Sequence, residues 1–503
     1  MVRGKVYLVG AGPGDPELIT LRGANCLTEA EVIVHDRLVD DRVLQRAAPG
    51  AERIYVGKSA GRHALDQREI NQLLVTKARE GKVVVRLKGG DPFLFGRGGE
   101  EAEALANAGI PFEVVPGISA SNAVPAYAGI SVTHRGLASS MAVVTGHEDP
   151  TKDRSSIAWD KLATGVDTLV FLMGMGNLEQ IAGELTRNGR SASTPVAVIQ
   201  EGTGPRQRTL VGNLGNIAAV AAESDFSPPA VIVVGEVVSL RESLRWFDNQ
   251  PLFGKRVLVT RSRKQASALS QLLSRHGALP LEMPTIEVEA VHDYGEIDRA
   301  IAHLPDYSWL IFTSANGVDI FFGRLRELGH DSRALGGVRL CAIGPATADA
   351  LERHGLISDL VPQEYVAEAI ADSLQGEDIA GQRILLPRAE AARPELATRL
   401  SQLEARVEEI ALYRTVLPGE DPAGGRQMLL GGEIDITTFT SSSTVQHLVS
   451  LLGGEWEAVN RTRVACIGPV TAAAAADLGV RVDVVAREHT IPGLVQALLE
   501  DYA

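Results

Sequence analysis

The sequence predicts an α/β protein of more than one domain, and three observations lead to this prediction. Strand-length apolar runs such as VYLVG and VIVVG alternate with helix-like stretches from Lys5 to about Val238. Glycine is abundant, at 51 residues, and aromatic residues make up only 5%, which suits many tight turns between strands and helices. The length of 503 residues exceeds what one hydrophobic core usually serves. We therefore expect several folding units whose sheets have parallel pairing.

The composition argues against several classes of function. A formal charge of −14 at pH 7 disfavours a general nucleic-acid binder, although a site can be locally basic for a small anion. Cys26, Cys341 and Cys466 are widely separated, so we expect neither a disulfide framework nor a metal site. No apolar run reaches about 18 residues, and the amino terminus lacks a signal-peptide core. We expect a cytoplasmic protein without nucleic-acid or membrane partners.

A break in the pattern predicts the main domain boundary. In LRWFDNQPLFGKR, aromatic residues, Asn249 and Pro251 interrupt the alternation of strands and helices. We place one domain at residues 1–245, a linker at 246–254 and a second half at 255–503.

The second half carries an internal repeat. RVLVTRSRKQASALSQLLSRHGA resembles RILLPRAEAARPELATRLSQLEA, and IGPAT returns as IGPVT. Arg388 follows Arg261 by 127 residues, and Thr440 follows Thr313 by the same interval. This period is too long for a solenoid and predicts two homologous α/β domains, with a cleft between them as the expected place for a ligand.

Two glycine clusters mark the first half. GAGPGDP, Gly10 to Pro16, lies where a strand leads into a helix, but Asp15 stands where a dinucleotide fingerprint needs its third glycine, and Pro13 lacks an N–H donor. A nucleotide-binding oxidoreductase is therefore disfavoured but stays the alternative. In RLKGGDP, Gly89 and Gly90 permit close ligand approach. Asp91 either accepts hydrogen bonds from a ligand or simply caps a turn.

An ordered series of motifs extends these clusters over nearly all of residues 1–245. GAGPGDPELITLRG, HDRLV, VGK, RLKGGDPFLFGRGGEE, VPGISA, THRG, TGH and FLMGM together resemble the tetrapyrrole methylases, and most closely the uroporphyrinogen-III C-methyltransferases. The resemblance implies a two-lobed α/β fold with S-adenosylmethionine between the lobes, and usually a homodimer. It implies these cofactor-binding residues: Pro13, Gly89, Gly90, Asp91, Leu94, Ser119, Ala120, Met173 and Gly202.

The same resemblance assigns catalytic roles. Asp36 of HDRLV matches the proton acceptor and Lys58 of VGK the proton donor, while His35 stands in place of the family's usual tyrosine. A reduced porphyrinogen carbon can attack a sulfonium methyl directly, so the protein must chiefly align the reactants and remove a proton. Without the family, Asp36 could be a turn residue and Met173 a core residue. The candidate partners of the substrate carboxylates are Arg37, Arg62, Arg97 and Arg135.

Hydroxyl-rich strand ends characterise the second half: TSANG, IGPAT, TSSST and IGPVT. Such loops at helix N-termini either cap helices or bind anions, and four of them favour a cleft for a polyanion. With KRVLVTR, LPR and IALYRTV, they make residues 254–500 resemble the uroporphyrinogen-III synthases. That resemblance implies one lobe from about 255–288 plus 417–503 and another from about 289–416, with no cofactor. It implies that Tyr413 helps the substrate hydroxyl leave; an edge-strand packing role is the alternative.

The expected ligand contacts in this half are Thr313, Ser314, Asn316, Ser441, Ser442, Thr444 and Arg261. We expect the chain to cyclise hydroxymethylbilane to uroporphyrinogen III with inversion of ring D. It would then methylate that product twice, at C2 and C7, and stop at precorrin-2, for either sirohaem or cobalamin. The alternative is an oxidoreductase fused to a non-catalytic binding module.

Overall fold

The structure is a computed structural model that describes residues 4–57, 65–148, 156–260, 263–285, 287–363, 367–390, 394–416 and 424–502. The chain forms two compact units. One comprises residues 1–257, 271–280 and 499–503, and the other comprises 258–270 and 281–498. None of the described helices is long and apolar enough to cross a membrane.

The first sheet has five strands, and all of its pairings are parallel. The strands, in the order β3-β2-β4-β1-β5, are β1 (Lys5–Gly10), β2 (Val32–His35), β3 (Glu52–Tyr55), β4 (Val83–Lys88) and β5 (Phe112–Val115). The helices that connect them are α1 (Leu21–Glu29), α2 (Asp41–Leu44), α3 (Gln67–Arg79) and α4 (Gly98–Asn107). Parallel pairing brings the ends of β1 and β4 to the same edge, where their glycine clusters begin.

The second sheet departs from the expected parallel pairing. Its order is β6-β7-β10-β8-β9, and only β6 and β7 run parallel. Residues 201–207 alone join β8 to β9, which is too short for a parallel crossover, so the two form an antiparallel hairpin. The strands are β6 (Met141–Thr145), β7 (Thr168–Leu172), β8 (Pro195–Gln200), β9 (Arg208–Asn213) and β10 (Ala230–Val234). The helices are α5 (Ala120–Tyr127), α6 (Trp159–Gly165), α7 (Leu178–Arg187), α8 (Ile217–Glu223) and α9 (Arg241–Leu244).

Two further sheets follow in the remainder of the chain. Their strands are β11 (Arg256–Val259), β12 (Leu279–Glu282), β13 (Glu287–Ala290), β14 (Trp309–Phe312), β15 (Arg339–Ala342), β16 (Arg383–Ala389), β17 (Arg406–Val416), β18 (Ile436–Phe439), β19 (Arg463–Cys466) and β20 (Val484–Val485). The helices are α10 (Arg263–Arg275), α11 (Gly295–Ala302), α12 (Ala315–Glu327), α13 (Pro345–Arg353), α14 (Ala367–Leu374), α15 (Glu395–Gln402), α16 (Gly425–Leu430), α17 (Ser442–Leu452), α18 (Pro469–Asp477) and α19 (Ile491–Tyr502).

The internal repeat is confirmed, but each of its copies is divided between two sheets. The third sheet has the order β12-β11-β18-β19-β20 and the fourth the order β13-β17-β16-β14-β15. Strands β11, β18 and β19 of one sheet thus correspond to β16, β14 and β15 of the other. The copy that begins at β11 therefore supplies β14 and β15 to the fourth sheet, while the copy that begins at β16 supplies β18 and β19 to the third.

Candidate functional site

Three glycine-containing loops meet at the carboxyl edge of the first sheet. The N–H of Gly90 donates to the carbonyl of Gly12 at 2.7 Å, and the N–H of Gly12 donates to the carbonyl of Gly90 at 3.3 Å. A Cβ on Gly117 would lie 2.2 Å from the Gly90 carbonyl oxygen, and one on Gly10 would lie 2.5 Å from the Gly117 Cα. Only glycine permits this contact of backbone on backbone. The crevice outside the strand ends of such a sheet is a usual place for a ligand.

Asp91 organises two of these loops. Its Oδ1 accepts from the N–H groups of Phe93 at 2.8 Å and Leu94 at 3.1 Å, and its Oδ2 accepts from the N–H of Gly117 at 3.0 Å. The turn-capping interpretation of Asp91 is therefore confirmed, and the residue also ties the loop after β4 to the loop after β5. This arrangement fixes the positions of Gly89 and Gly90.

The loop after β1 also contacts the segment that follows β8. A Cβ on Gly14 would lie 2.9 Å from Thr203 Oγ1 and 3.1 Å from the carbonyl oxygen of Gly202. The N–H of Asp15 donates to Thr203 Oγ1 at 3.0 Å. The structure thus brings the loop that contains Pro13 into contact with the segment that contains Gly202. Both residues are among the expected cofactor-binding residues.

Helix α5 begins directly after the loop that contains Gly117. Ser119 is its N-cap, and its Oγ accepts from the N–H of Ser121 at 3.2 Å. Ser119 and Ala120 are both half-buried. The first turn of α5 therefore follows the glycine loops, in a position where its N–H groups can serve a ligand.

An open cavity of about 410 Å³ lies beside Met173, Phe95, Arg97, Thr145 and His147. Met173 is 53% exposed, so the core-packing interpretation of this residue is wrong. Met173, Phe95 and Arg97 all have left-handed backbones, with φ of 57°, 53° and 58°. Non-glycine residues in this conformation are strained and concentrate at functional sites.

A buried cluster of charges supports Asp36 at the end of β2. Nη2 of Arg86 donates to Asp36 Oδ2 at 2.9 Å, and Nε of Arg86 donates to Glu101 Oε1 at 3.0 Å. Nζ of Lys88 donates to the same Glu101 oxygen at 2.9 Å. Arg86 is 3% exposed and Glu101 0%. Burial, and then the charge of Arg86, lower the pKa of Lys88.

The environment of the Asp36 carboxylate is uneven. Within the part of the chain that the structure describes, Oδ1 of Asp36 is buried without a hydrogen-bond partner, whereas Oδ2 is held by Arg86. The neighbouring His35 packs edge-on against Tyr55, with ring centroids 5.6 Å apart, and burial lowers the pKa of its imidazole. One oxygen of Asp36 is thus fixed while the other keeps an acceptor position.

Sequence reasoning missed Arg86, Lys88 and Glu101. The signal was present, because Arg86 and Lys88 alternate in β4, where the other residues are apolar, and therefore share one face of the strand. A strand buried on both faces normally carries a continuous apolar run, so two cations within it require a partner. Glu101, on α4, is that partner.

The other expected cations are dispersed or undescribed. Arg37 and Arg135 are exposed, and Arg97 pairs with Glu100 at 2.7 Å. Lys58, Arg62 and Arg261 lie outside the residues that the structure describes.

In the second half, Tyr413 and Ser314 form a hydrogen-bonded pair with 2.9 Å between their oxygens. Tyr413 is 7% exposed and lies on β17, an inner strand between β13 and β16. Tyr413 therefore packs among the core residues of this sheet and not at its edge. Ser314 is the N-cap of α12, and its Oγ accepts from the N–H of Gly317 at 3.0 Å.

All four hydroxyl-rich or glycine-proline motifs start helices. Ser314 and Ser441 cap α12 and α17 with their side chains, and Gly344 and Gly468 stand before the prolines that open α13 and α18. Thr313, Asn316 and Ser442 are half-buried beside these starts. Thr444 is 3% exposed, and its hydroxyl donates to the Ser441 carbonyl at 2.7 Å, so it supports the cap of α17 from within.

Comparisons with known proteins divide the chain in the same way. The family model for tetrapyrrole (corrin/porphyrin) methylases matches residues 5–218, and the model for uroporphyrinogen-III synthase HemD matches residues 267–496. The porphyrin biosynthesis protein HemD of Ruminiclostridium josui is 38% identical over 500 residues, which cover 99% of this chain and 98% of that protein.

Two further relatives carry methyltransferase names. The uroporphyrinogen-III C-methyltransferase of Bacillus subtilis (strain 168) is 43% identical over 357 residues, covering 71% of this chain and 73% of its own length. The S-adenosyl-L-methionine-dependent uroporphyrinogen III methyltransferase of Methanosarcina barkeri is 55% identical over 241 residues. Those residues cover 48% of this chain and 94% of that protein.

Proposed function

The chain belongs to the tetrapyrrole methylases in its N-terminal half and to the uroporphyrinogen-III synthases in its C-terminal half, and from this membership we propose that it catalyses consecutive steps on one tetrapyrrole. It is a bifunctional enzyme that combines a uroporphyrinogen-III C-methyltransferase with a uroporphyrinogen-III synthase. The observation that carries the proposal is the porphyrin-biosynthesis relative that aligns along almost the whole chain. The oxidoreductase alternative finds no support in these comparisons.

The C-terminal half closes linear hydroxymethylbilane to uroporphyrinogen III with inversion of ring D. In this step the bond from the hydroxymethyl carbon to its oxygen breaks, and water leaves with a proton supplied to that oxygen. The same carbon becomes joined to ring D by a new carbon–carbon bond, and the inverted ring D loses a proton, which restores the donor. Tyr413 is the proposed donor, and its hydrogen bond to Ser314 sets the direction of the phenol. This half works without a cofactor.

Four helix starts bind the substrate carboxylates in this proposal. Thr313, Ser314 and Asn316 belong to the start of α12 and Ser441 and Ser442 to that of α17, where backbone N–H groups and hydroxyls suit anions. Thr444 stabilises the second of these starts, and Arg261 is a further proposed carboxylate partner. The proposed lobes are about 255–288 plus 417–503 and about 289–416. The third sheet lies within the first range, and the fourth sheet lies within the second except for Glu287 and Val288 of β13.

The N-terminal half, residues 1–245, methylates uroporphyrinogen III. S-adenosylmethionine, when bound, supplies an electrophilic sulfonium methyl. The fit is supported by the three glycine loops: Gly10 and Gly117 allow the loop backbones to pack against one another, and a Cβ on Gly90 would meet no atom of the described residues within 4 Å, so space for a ligand lies beside that loop. The residues proposed to hold it are Pro13, Gly89, Gly90, Asp91, Leu94, Ser119, Ala120, Met173 and Gly202.

Asp36 accepts the proton that the macrocycle must lose elsewhere on its ring system once the methyl group has been added to a fully substituted pyrrole carbon, which itself carries no hydrogen. Its Oδ1 has no hydrogen-bond partner among the described residues and can take a proton, while Arg86 holds Oδ2. Lys58 is the proposed proton donor, and Arg37, Arg62, Arg97 and Arg135 are the proposed carboxylate partners. Methylation at C2 and C7 gives precorrin-2. We also propose a cytoplasmic homodimer formed through this half.

One experiment tests both activities. The purified full chain is given hydroxymethylbilane with or without S-adenosylmethionine, and the tetrapyrroles are identified by mass and isomer analysis. We expect uroporphyrinogen III without the methyl donor and a dimethylated product with it. Closure to isomer I at the uncatalysed rate, with no transfer of methyl, would refute both proposed reactions.

A further inference from the structure

The loop of Pro13 is held on one side by a tyrosine from the second lobe of the methyltransferase half. Tyr127, the last residue of α5, donates its hydroxyl to Asp15 Oδ2 at 2.8 Å. Asp15 Oδ1 accepts from the N–H of Glu17 at 2.9 Å, which caps the short 3-10 turn after the loop. The Asp15 carboxylate is therefore shared between the loop's own backbone and a distant helix.

A second hydrogen-bonded path joins the same parts. The N–H of Asp15 donates to Thr203 Oγ1, and the N–H of Thr203 donates to Gln207 Oε1 at 2.9 Å. Nε2 of Gln207 in turn donates to the carbonyl of Tyr127 at 3.2 Å. Thr203 is buried and has a left-handed backbone, with φ of 69°. The strained loop after β8 is thus fixed against both Asp15 and Tyr127.

Aromatic residues of the segment between the two enzyme halves pack on Tyr127. The ring centroid of Tyr127 lies 5.1 Å from that of Trp246 and 4.8 Å from that of Phe247, both edge-on. Nε1 of Trp246 donates to the carbonyl of Ala126 at 3.0 Å. Phe247 is 6% exposed and also packs on Phe253, with centroids 5.4 Å apart. Edge-to-face pairs of this geometry are stabilising.

We propose that Tyr127 is a positioning residue for the methyl-donor loop Gly10–Pro16, and that Trp246 and Phe247 hold Tyr127 in place. The connection between the two halves is then part of the cofactor site of the first half rather than a passive tether. This inference rests on the proposed binding of S-adenosylmethionine at that loop. Burial and the bond to Asp15 also raise the pKa of the Tyr127 phenol, so the phenol stays protonated and able to donate over the whole working range of pH.

The test measures the affinity of the full chain for S-adenosylhomocysteine by titration calorimetry. Tyr127→Phe removes the hydroxyl and keeps the ring, and we expect Kd to rise about tenfold, the size expected for a lost bond to a charged group. Phe247→Leu should raise Kd about threefold through looser packing. The KM for S-adenosylmethionine should rise in parallel while kcat at saturation stays unchanged, a split that general destabilisation would not produce.

Tyr307→Phe is the matched control. Tyr307 is a buried tyrosine that donates to Glu408 Oε2 at 2.6 Å, outside the methyltransferase half. Its loss should leave the Kd for S-adenosylhomocysteine unchanged. Failure of the wild-type chain to bind S-adenosylhomocysteine would refute the proposed function; unchanged Kd in Tyr127→Phe, with a binding wild type, would refute only the positioning role.

A double variant tests the direct bond even if one change alters stability. Asp15→Asn weakens the acceptor, and the combination with Tyr127→Phe should bind no more weakly than the Tyr127→Phe single variant. Fully additive losses would overturn the coupling between Asp15 and Tyr127. Melting curves of each variant verify that the folded chain is being compared.

Discussion

Arg86 donates through Nη2 to Oδ2 of Asp36 at 2.9 Å, from a side chain that solvent hardly reaches. Its remaining donors serve Glu101 and the carbonyls of Val34 and Leu87. A guanidinium fixed on several sides cannot rotate away, so it orients the Asp36 carboxylate. The carboxylate of Asp36, the proposed proton acceptor, is thus held in position by the buried guanidinium of Arg86, which belongs to strand β4 of the first sheet.

Asp36→Asn should abolish most methyl transfer without disturbing the fold. The amide keeps the size of the carboxylate but cannot accept a proton, so we expect kcat to fall by about 10²- to 10⁴-fold. The Kd for S-adenosylhomocysteine should stay the same. Asp40→Asn is the control, because Asp40 caps α2, where asparagine serves equally well, and otherwise pairs only with the exposed Arg42 side chain among the described residues. Equal rates for Asp36→Asn and wild type would remove Asp36 from the mechanism.

Arg86→Leu should destabilise the methyltransferase half as well as inactivate it. The change leaves the buried Glu101 and the half-buried Asp36 without their arginine, and breaking the buried Arg86–Glu101 pair in this way costs about 3–5 kcal/mol. Scanning calorimetry should show a lower transition temperature for this half. Arg22→Leu, which removes an exposed ion pair with Glu113, should change the transition by far less. A transition temperature equal to that of the wild type would contradict the ion-pair argument.

His35 should make the stability depend on pH. Burial lowers the pKa of His35 below its ordinary value of 6.5. Between the two pKa values the unfolded chain binds a proton that the folded chain does not, so stability falls as pH drops through 6.5. His35→Gln removes this contribution. When the pH is lowered from 7.5 to about 5.5, the melting temperature of this variant should therefore fall by less than the melting temperature of the wild type. His330→Gln, at an exposed position, should behave as the wild type; an identical pH dependence in all three proteins would contradict the prediction.

The sequence was most informative where local pattern decides structure. Apolar runs located the strands, and Ser314 and Ser441 were identifiable as helix starts because a hydroxyl before a helical stretch satisfies an open N–H group. The motif order identified both families. Asp91 both caps a turn and accepts a hydrogen bond from Gly117. The second role could not be predicted, because it depends on contact between the loops after β4 and β5, and a local sequence pattern carries no information on that contact.

Long-range pairing set the limit of prediction. The antiparallel position of β10 between β7 and β8, and the exchange of strands between the two repeat copies, depend on which strands meet in space. Tyr127 and Asp15 are 112 residues apart in sequence, and neither residue type indicates that the other is its hydrogen-bond partner. Arg86 and Glu101 were closer to detection, because a charge in a buried strand implies a partner even when its identity is hidden.

Tyr413 and Ser314 give a prediction that separates catalysis from helix capping. Tyr413→Phe should slow ring closure of hydroxymethylbilane about tenfold or more, since the proposed proton donor is lost, while methyl transfer to supplied uroporphyrinogen III continues unchanged. Ser314→Ala loses both the cap of α12 and the bond to the phenol. Thr490→Ala is the control, because Thr490 Oγ1 accepts from the N–H of Gly493 at 3.1 Å at the start of α19, so its loss removes a cap of the same kind at a cost of about 1 kcal/mol. Stopped-flow assays of closure should therefore place Ser314→Ala nearer to Tyr413→Phe than Thr490→Ala; if Ser314→Ala and Thr490→Ala lose the same rate, Ser314 acts through the helix and not through Tyr413.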